Sequence, residues 1–111
     1  MLLTKENINN FKKTGSQEAN KDPLVIVKFF NPAGIGTWYA TEYDEENKMF
    51  FGYVSLFGDH NDEWGSFSLE ELKSIKGMFG LGIERDLHTE IKPISEFNIP
   101  SLPLGRLRVE E

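Results

Sequence analysis

The sequence predicts an α+β domain, a small and mostly antiparallel sheet of four to five strands with two short helices. Aromatic and β-branched runs at 23–30, 37–43 and 48–57 are separated by turn-forming residues, which reads as hairpins. Two other segments, 3–11 and 68–75, space their apolar residues for one helical face behind a hydroxyl N-cap. The order is helix, three strands, short strand, helix, strand, which suits an antiparallel sheet better than parallel crossovers.

In the first helix Leu3, Ile8 and Phe11 share a face, Thr4 is the expected N-cap and Gly15 the stop. Residues 14–22 are polar and read as a loop. "PLVIVKFF" follows, with Val25, Ile26 and Val27 apolar on both faces, as expected of one inner strand. "NPAGIG" is a turn in which Gly34 and Gly36 can take positive φ. "TWYATEY" and "KMFFGYVSLF" are then two strands joined by "DEEN". With Asp44–Asn47 as the loop, Tyr43 faces Lys48 and Tyr39 covers Gly52. Trp38, Ala40 and Glu42 then share a face with Tyr53, Phe51 and Met49, an aromatic stripe ending in a carboxylate.

"GDHNDE" reads as a loop and "WGSF" as a short strand. In "SLEELKSIKG" Ser68 and Glu71 fit a capping box, Leu69, Leu72 and Ile75 form the apolar stripe, and Gly77 closes the helix. "MFGLG" turns the chain, and "IERDLHTEI" alternates as a last strand. Residues 93–111 contain three prolines and a charged end. The expectation is a single domain over 1–96 with a loosely packed tail at 97–111.

The chain has 111 residues, enough for one core. Its net charge of −6 disfavours direct nucleic-acid binding and anionic membrane surfaces, because both need a basic face. With no cysteine, thiolate nucleophiles, disulfides and cysteine-ligated metals are excluded, and a reducing cytoplasm is the expected location. Neither an apolar signal core nor a membrane-length apolar run occurs.

The "GIG" of "NPAGIGTW" is followed by Thr37 and Trp38 entering a strand. It therefore lacks the lysine and helix of a phosphate loop and reads as a hairpin turn. Asp59, His60, Asp62 and Glu63 do not have calcium-loop spacing, so no metal site and no cofactor are expected. His60 and His88 have no nucleophile elbow around them, so no catalytic residues are assigned and an enzyme is disfavoured. Alternation puts Arg85 on the side of Ile83 and Leu87, where a guanidinium needs a partner. Glu42 is the candidate, as a half-buried pair at the edge of the core or at the floor of a groove.

"FFNPAGIGTWYATEYD", "MFFGYVSLFG", "EWGSFSLEEL" and "FGLGIERDL" followed by "KPISE" resemble, over about residues 24–96, a family of small bacterial domains of unknown function. The resemblance implies a protein of bacteria or phages, often carried on plasmids and other mobile elements near antirestriction or DNA-processing genes. It implies no activity. The positions it maps are Asn31, Pro32, Gly36, Trp38, Tyr39, Glu42, Trp64, Glu84, Arg85 and Asp86, without roles.

The function expected from the residues and this resemblance is a non-enzymatic accessory protein that binds a protein partner. The candidate binding residues are Trp38, Glu42, Phe51, Tyr53, Glu84, Arg85 and Asp86. In its sharper form the protein inhibits a host defence nuclease by occupying a basic channel. The alternative is a small-ligand protein or enzyme using Glu42, Glu84, Arg85 and Asp86 in one pocket.

Overall fold

The computed structural model of the chain describes residues 2–56, 62–75, 81–99 and 102. Helix α1 (Lys5–Thr14) starts at Thr4, whose Oγ1 accepts the Asn7 amide at 3.1 Å while Asn7 Oδ1 accepts the Thr4 amide at 3.0 Å. That reciprocal pair satisfies two orphan donors. Gly15, at φ 71°, ends the helix with its amide on the Phe11 carbonyl.

Strands β2 (Val27–Phe30), β3 (Thr37–Asp44), β4 (Met49–Ser55) and β5 (Glu63–Ser68) and the short β6 (Glu84–Arg85) form one antiparallel sheet in the order β5-β4-β3-β2-β6. Before β2, strand β1 (Leu24–Val25) pairs with β7 (Lys92–Pro93) as a separate two-stranded sheet. Helix α2 (Leu69–Ser74) follows β5 directly, capped by Ser68 Oγ accepting the Glu71 amide at 2.9 Å. The fold is α+β, with two helices and a five-stranded antiparallel sheet beside the two-stranded one.

Both faces of the five-stranded sheet are covered. On one, α1 and α2 enclose Phe11, Val27, Phe29, Trp38, Phe50, Phe67, Leu69 and Leu72. Phe50 is its hub, with Phe29 and Phe67 each 5.3 Å away and Tyr43 at 4.5 Å between ring centres. Offset and edge contacts of this kind add to the burial that drives the core together. On the other face Val25, Tyr39 and Tyr53 meet Ile94, Ile99 and Leu102 from the C-terminal segment, with Trp64 and Phe97 packed alongside.

Four expectations change. The 23–30 run is not one strand: Ile26 donates its amide to the Ala40 carbonyl while Val27 is opposite Ala40, and this kink lets Val25 turn to the second core. The last strand stops at Arg85 because the Asp86 carboxylate accepts the His88 amide at 2.8 Å and starts a turn, leaving Leu87 74% exposed. Within the segment 97–111 expected to be a loose tail, the described residues Phe97, Ile99 and Leu102 pack onto the sheet.

The fourth change is the hairpin register. Asp44 faces Met49, so the loop is 45–48, with Lys48 left-handed at φ 54° and Asp44 accepting the Glu46 and Asn47 amides. A bulge between Ala40 and Glu42 then shifts the register again. The loop change moves pairs by two and keeps the faces, whereas the bulge moves them by one and exchanges them. Glu42, Phe51 and Tyr53 do share a face, but Trp38 and Ala40 lie on the other. Gly52 is opposite Ala40, not under Tyr39.

Gly77, most of the "GDHNDE" loop, most of the "MFGLG" turn and residues 103–111 lie outside the described residues. Among the described residues, no helix is long and apolar enough to cross a membrane.

Candidate functional site

Arg85 is on β6 at the sheet edge, opposite Phe29 and therefore on the helix-covered face. Its Nη1 donates to the Leu2 carbonyl at 3.0 Å, tying the segment before α1 to the sheet edge. Glu42 is on the opposite face beyond the bulge. The expected Glu42–Arg85 pair is therefore not formed; the bulge that reverses the faces of β3 separates them. The four-residue pocket of Glu42, Glu84, Arg85 and Asp86 is likewise not assembled.

What the structure brings together instead is Arg85, Asp86, Leu87 and Ile91 with the first turns of α1. They line a groove of about 330 Å³ whose other wall is Glu6, Asn7 and Asn10 and whose floor is Ile26 and Val27. A second cleft of about 330 Å³ on the far side of Arg85 is lined by Leu2, Ile83, Glu84 and Leu87. Arg85 and Leu87 border both.

The groove is built by local chemistry. Asp86 donates its amide to the Lys28 carbonyl at 2.9 Å, which docks the turn against β2. Its carboxylate is 3.7 Å from Lys28 Nζ. Burial pushes the Asp86 carboxyl upward, but the His88 amide, the Thr89 hydroxyl and the Lys28 charge together hold it below its ordinary value. An ionised carboxylate thus holds the turn that displays Leu87, and Ile91 is 44% exposed farther along.

The other predicted residues are elsewhere. Trp38 and Tyr53 are buried in different cores, at 6% and 2% exposure, so they form no common surface. Glu42 and Phe51 line a cleft of about 470 Å³ between the end of α1 and the β3–β4 hairpin. Phe51 stacks on Trp64 at 6.1 Å, and the Trp64 Nε1 is buried with no acceptor among the described residues. Asp62, from the acidic loop, accepts the Ser55 hydroxyl at 2.8 Å and the Leu56 amide at 2.9 Å. Among the described residues no three histidine, aspartate or glutamate side chains gather to hold one metal ion.

Leu87, Ile91 and the α1 asparagines are not among the binding residues that the sequence suggests. The alternation of "IERDLHTEI" assigns Leu87 to the core, although the Asp86-x-His88 spacing signals the turn that exposes it.

A family model described as protein of unknown function (DUF2958) matches residues 2–100, and the chain belongs to that family. The match takes in α1 and the cover residues Ile94 and Ile99 as well as the region of resemblance at 24–96. No curated protein and no solved structure matches the chain significantly.

Proposed function

We propose that this chain is a protein-binding accessory module whose docking surface is the groove between α1 and the β6 turn. The observation that carries the reading is the display of Leu87 and Ile91, 74% and 44% exposed, on the rim of a groove lined by Arg85 and Asp86. Large apolar side chains grouped beside a guanidinium form the kind of anchor that partner surfaces use. Glu84 borders the adjoining cleft and extends the charged rim.

Carriage on mobile elements in a bacterial cytoplasm rests on the sequence resemblance and the lack of cysteine. Inhibition of a defence nuclease rests on the net charge of −6, which complements a basic channel. The small-ligand or enzymatic alternative loses its main support because Glu42 is remote from Glu84, Arg85 and Asp86.

The test is affinity capture from host lysate, with and without nuclease treatment, using the wild-type chain and a folded Leu87→Asp/Ile91→Asp variant. A stoichiometric protein that survives nuclease and is lost with the double variant supports the reading. Equal capture by both chains removes the groove as the docking surface.

A further inference from the structure

We propose that the outer edge of β5 is a second docking site, one that accepts an extended peptide segment of a partner as an added strand. The pairing pattern shows which groups are available. Leu69 donates its amide to the Lys48 carbonyl, and 69 and 48 continue the β4–β5 register. In an antiparallel ladder such bonded positions alternate, so Glu63, Gly65 and Phe67 bond toward β4. Trp64 and Ser66 then point their amides and carbonyls outward, and Ser68 its amide, its carbonyl serving the N-cap of α2; among the described residues no strand pairs with this edge of β5.

Exposed edges are normally blunted by shortness, proline, lysine or a bulge. β6, at the other edge, is only two residues long. β5 is six residues long, contains neither proline nor lysine, and pairs with β4 without a break in register.

The chemistry of the occupant follows from the side chains beside the edge. A Cβ placed on Gly65 would meet no atom within 4 Å beyond its chain neighbours, and its backbone does not require glycine. The open space takes a large apolar side chain from the strand opposite, as a ring covers a cross-strand glycine. Glu63, exposed on the same face two residues away, favours a lysine or arginine in the added strand. A second copy of this chain fits poorly. Each copy carries −6, and the Phe67 that could cover Gly65 is 3% exposed and stacked on Phe50.

The probe is the acetylated peptide Thr-Thr-Val-Phe-Val-Lys, which run antiparallel sets Phe against Gly65 and Lys against Glu63. Binding is followed by amide chemical shifts of the isotope-labelled full chain. Saturable shifts centred on Trp64, Ser66 and Ser68 are expected, weakened about tenfold by Ser66→Pro, which removes an outward amide and no bond to β4. A peptide with Gly for Phe is expected to bind less well to wild type. Gly65→Val, which fills the slot, is expected to lose that preference, and it decides the matter if Ser66→Pro does not fold. The proposal is overturned by the absence of saturable shifts, by unchanged binding to Ser66→Pro or unchanged preference in Gly65→Val. A peptide-free dimer abolished by Ser66→Pro also overturns it, assigning the edge to a second copy.

Discussion

The side-chain amide of Gln17 donates to the Thr41 carbonyl at 2.7 Å and joins two segments 24 residues apart. The same nitrogen donates to the Leu24 carbonyl at 2.9 Å, and Oε1 accepts the Leu24 amide at 2.7 Å. Thr41 is the residue inside the β3 bulge, where the ladder to its neighbours is interrupted. Gln17 thus supplies from a loop what the sheet withholds there; at 5% exposure its bond to Thr41 is buried and its two bonds to Leu24 are partly so.

Gln17→Ala is therefore expected to lower stability by about 2–4 kcal/mol, since it strands buried backbone groups as well as removing bonds. Gln17→Glu should be worse, because a carboxylate replaces the donor between two carbonyls. Urea unfolding checks both, and a loss no larger than that of a surface change would refute the clamp.

The glycines of the β4–β5 pair should respond in opposite ways. At Gly52 a Cβ would overlap the Tyr39 carbonyl, a backbone group that cannot swing aside. Gly52→Ala is expected to cost about 3 kcal/mol, in the range of steric changes in packed cores. Gly65→Ala, with open space around it, should change the unfolding midpoint little.

Asp22 clamps the C-terminal cover from a distance of 73 residues, its carboxylate accepting the Ser95 amide at 3.0 Å and hydroxyl at 2.6 Å. Asp22→Ala should cost about 1–2 kcal/mol. Hydrogen exchange should locate the loss around Ile94–Ile99, which cover Tyr39 and Tyr53, before it affects the helix-covered core. Uniform loss of protection would contradict this two-core picture.

Acid should loosen the β6 turn through Asp86. Its carboxyl lies below the ordinary value of 3.8 in the folded chain, so its contribution is present above that value. It is lost as pH falls through the lower folded value. Asp86→Asn should therefore lower stability at neutral pH and flatten the acid limb below about pH 4. An acid limb identical to that of wild type would show that the turn does not depend on this charge.

Much of the fold was legible because its signals are local. Thr4 and Gly15 bracket α1, Ser68 opens α2, and the aromatic runs became β3 and β4. The candidate site was legible only in part. Arg85 and Asp86 line the groove, but the alternation from Ile83 to Ile91 concealed the Asp86 turn and assigned Leu87 to the core.

By itself the sequence determined the α+β class, both ends of α1, the start of α2 and which residues are apolar enough to be buried; α2 ends at Ser74, earlier than the expected stop at Gly77. The tertiary structure alone decided the bulge at Thr41, the separation of Trp38 from Tyr53 and of Glu42 from Arg85, and the packing of Ile99 and Leu102 as a cover. The reason is physical. Caps and periodicity are satisfied within a few residues, whereas a one-residue bulge reverses the faces of a strand without changing its composition. What holds that bulge is Gln17, too far along the chain for local patterning to register.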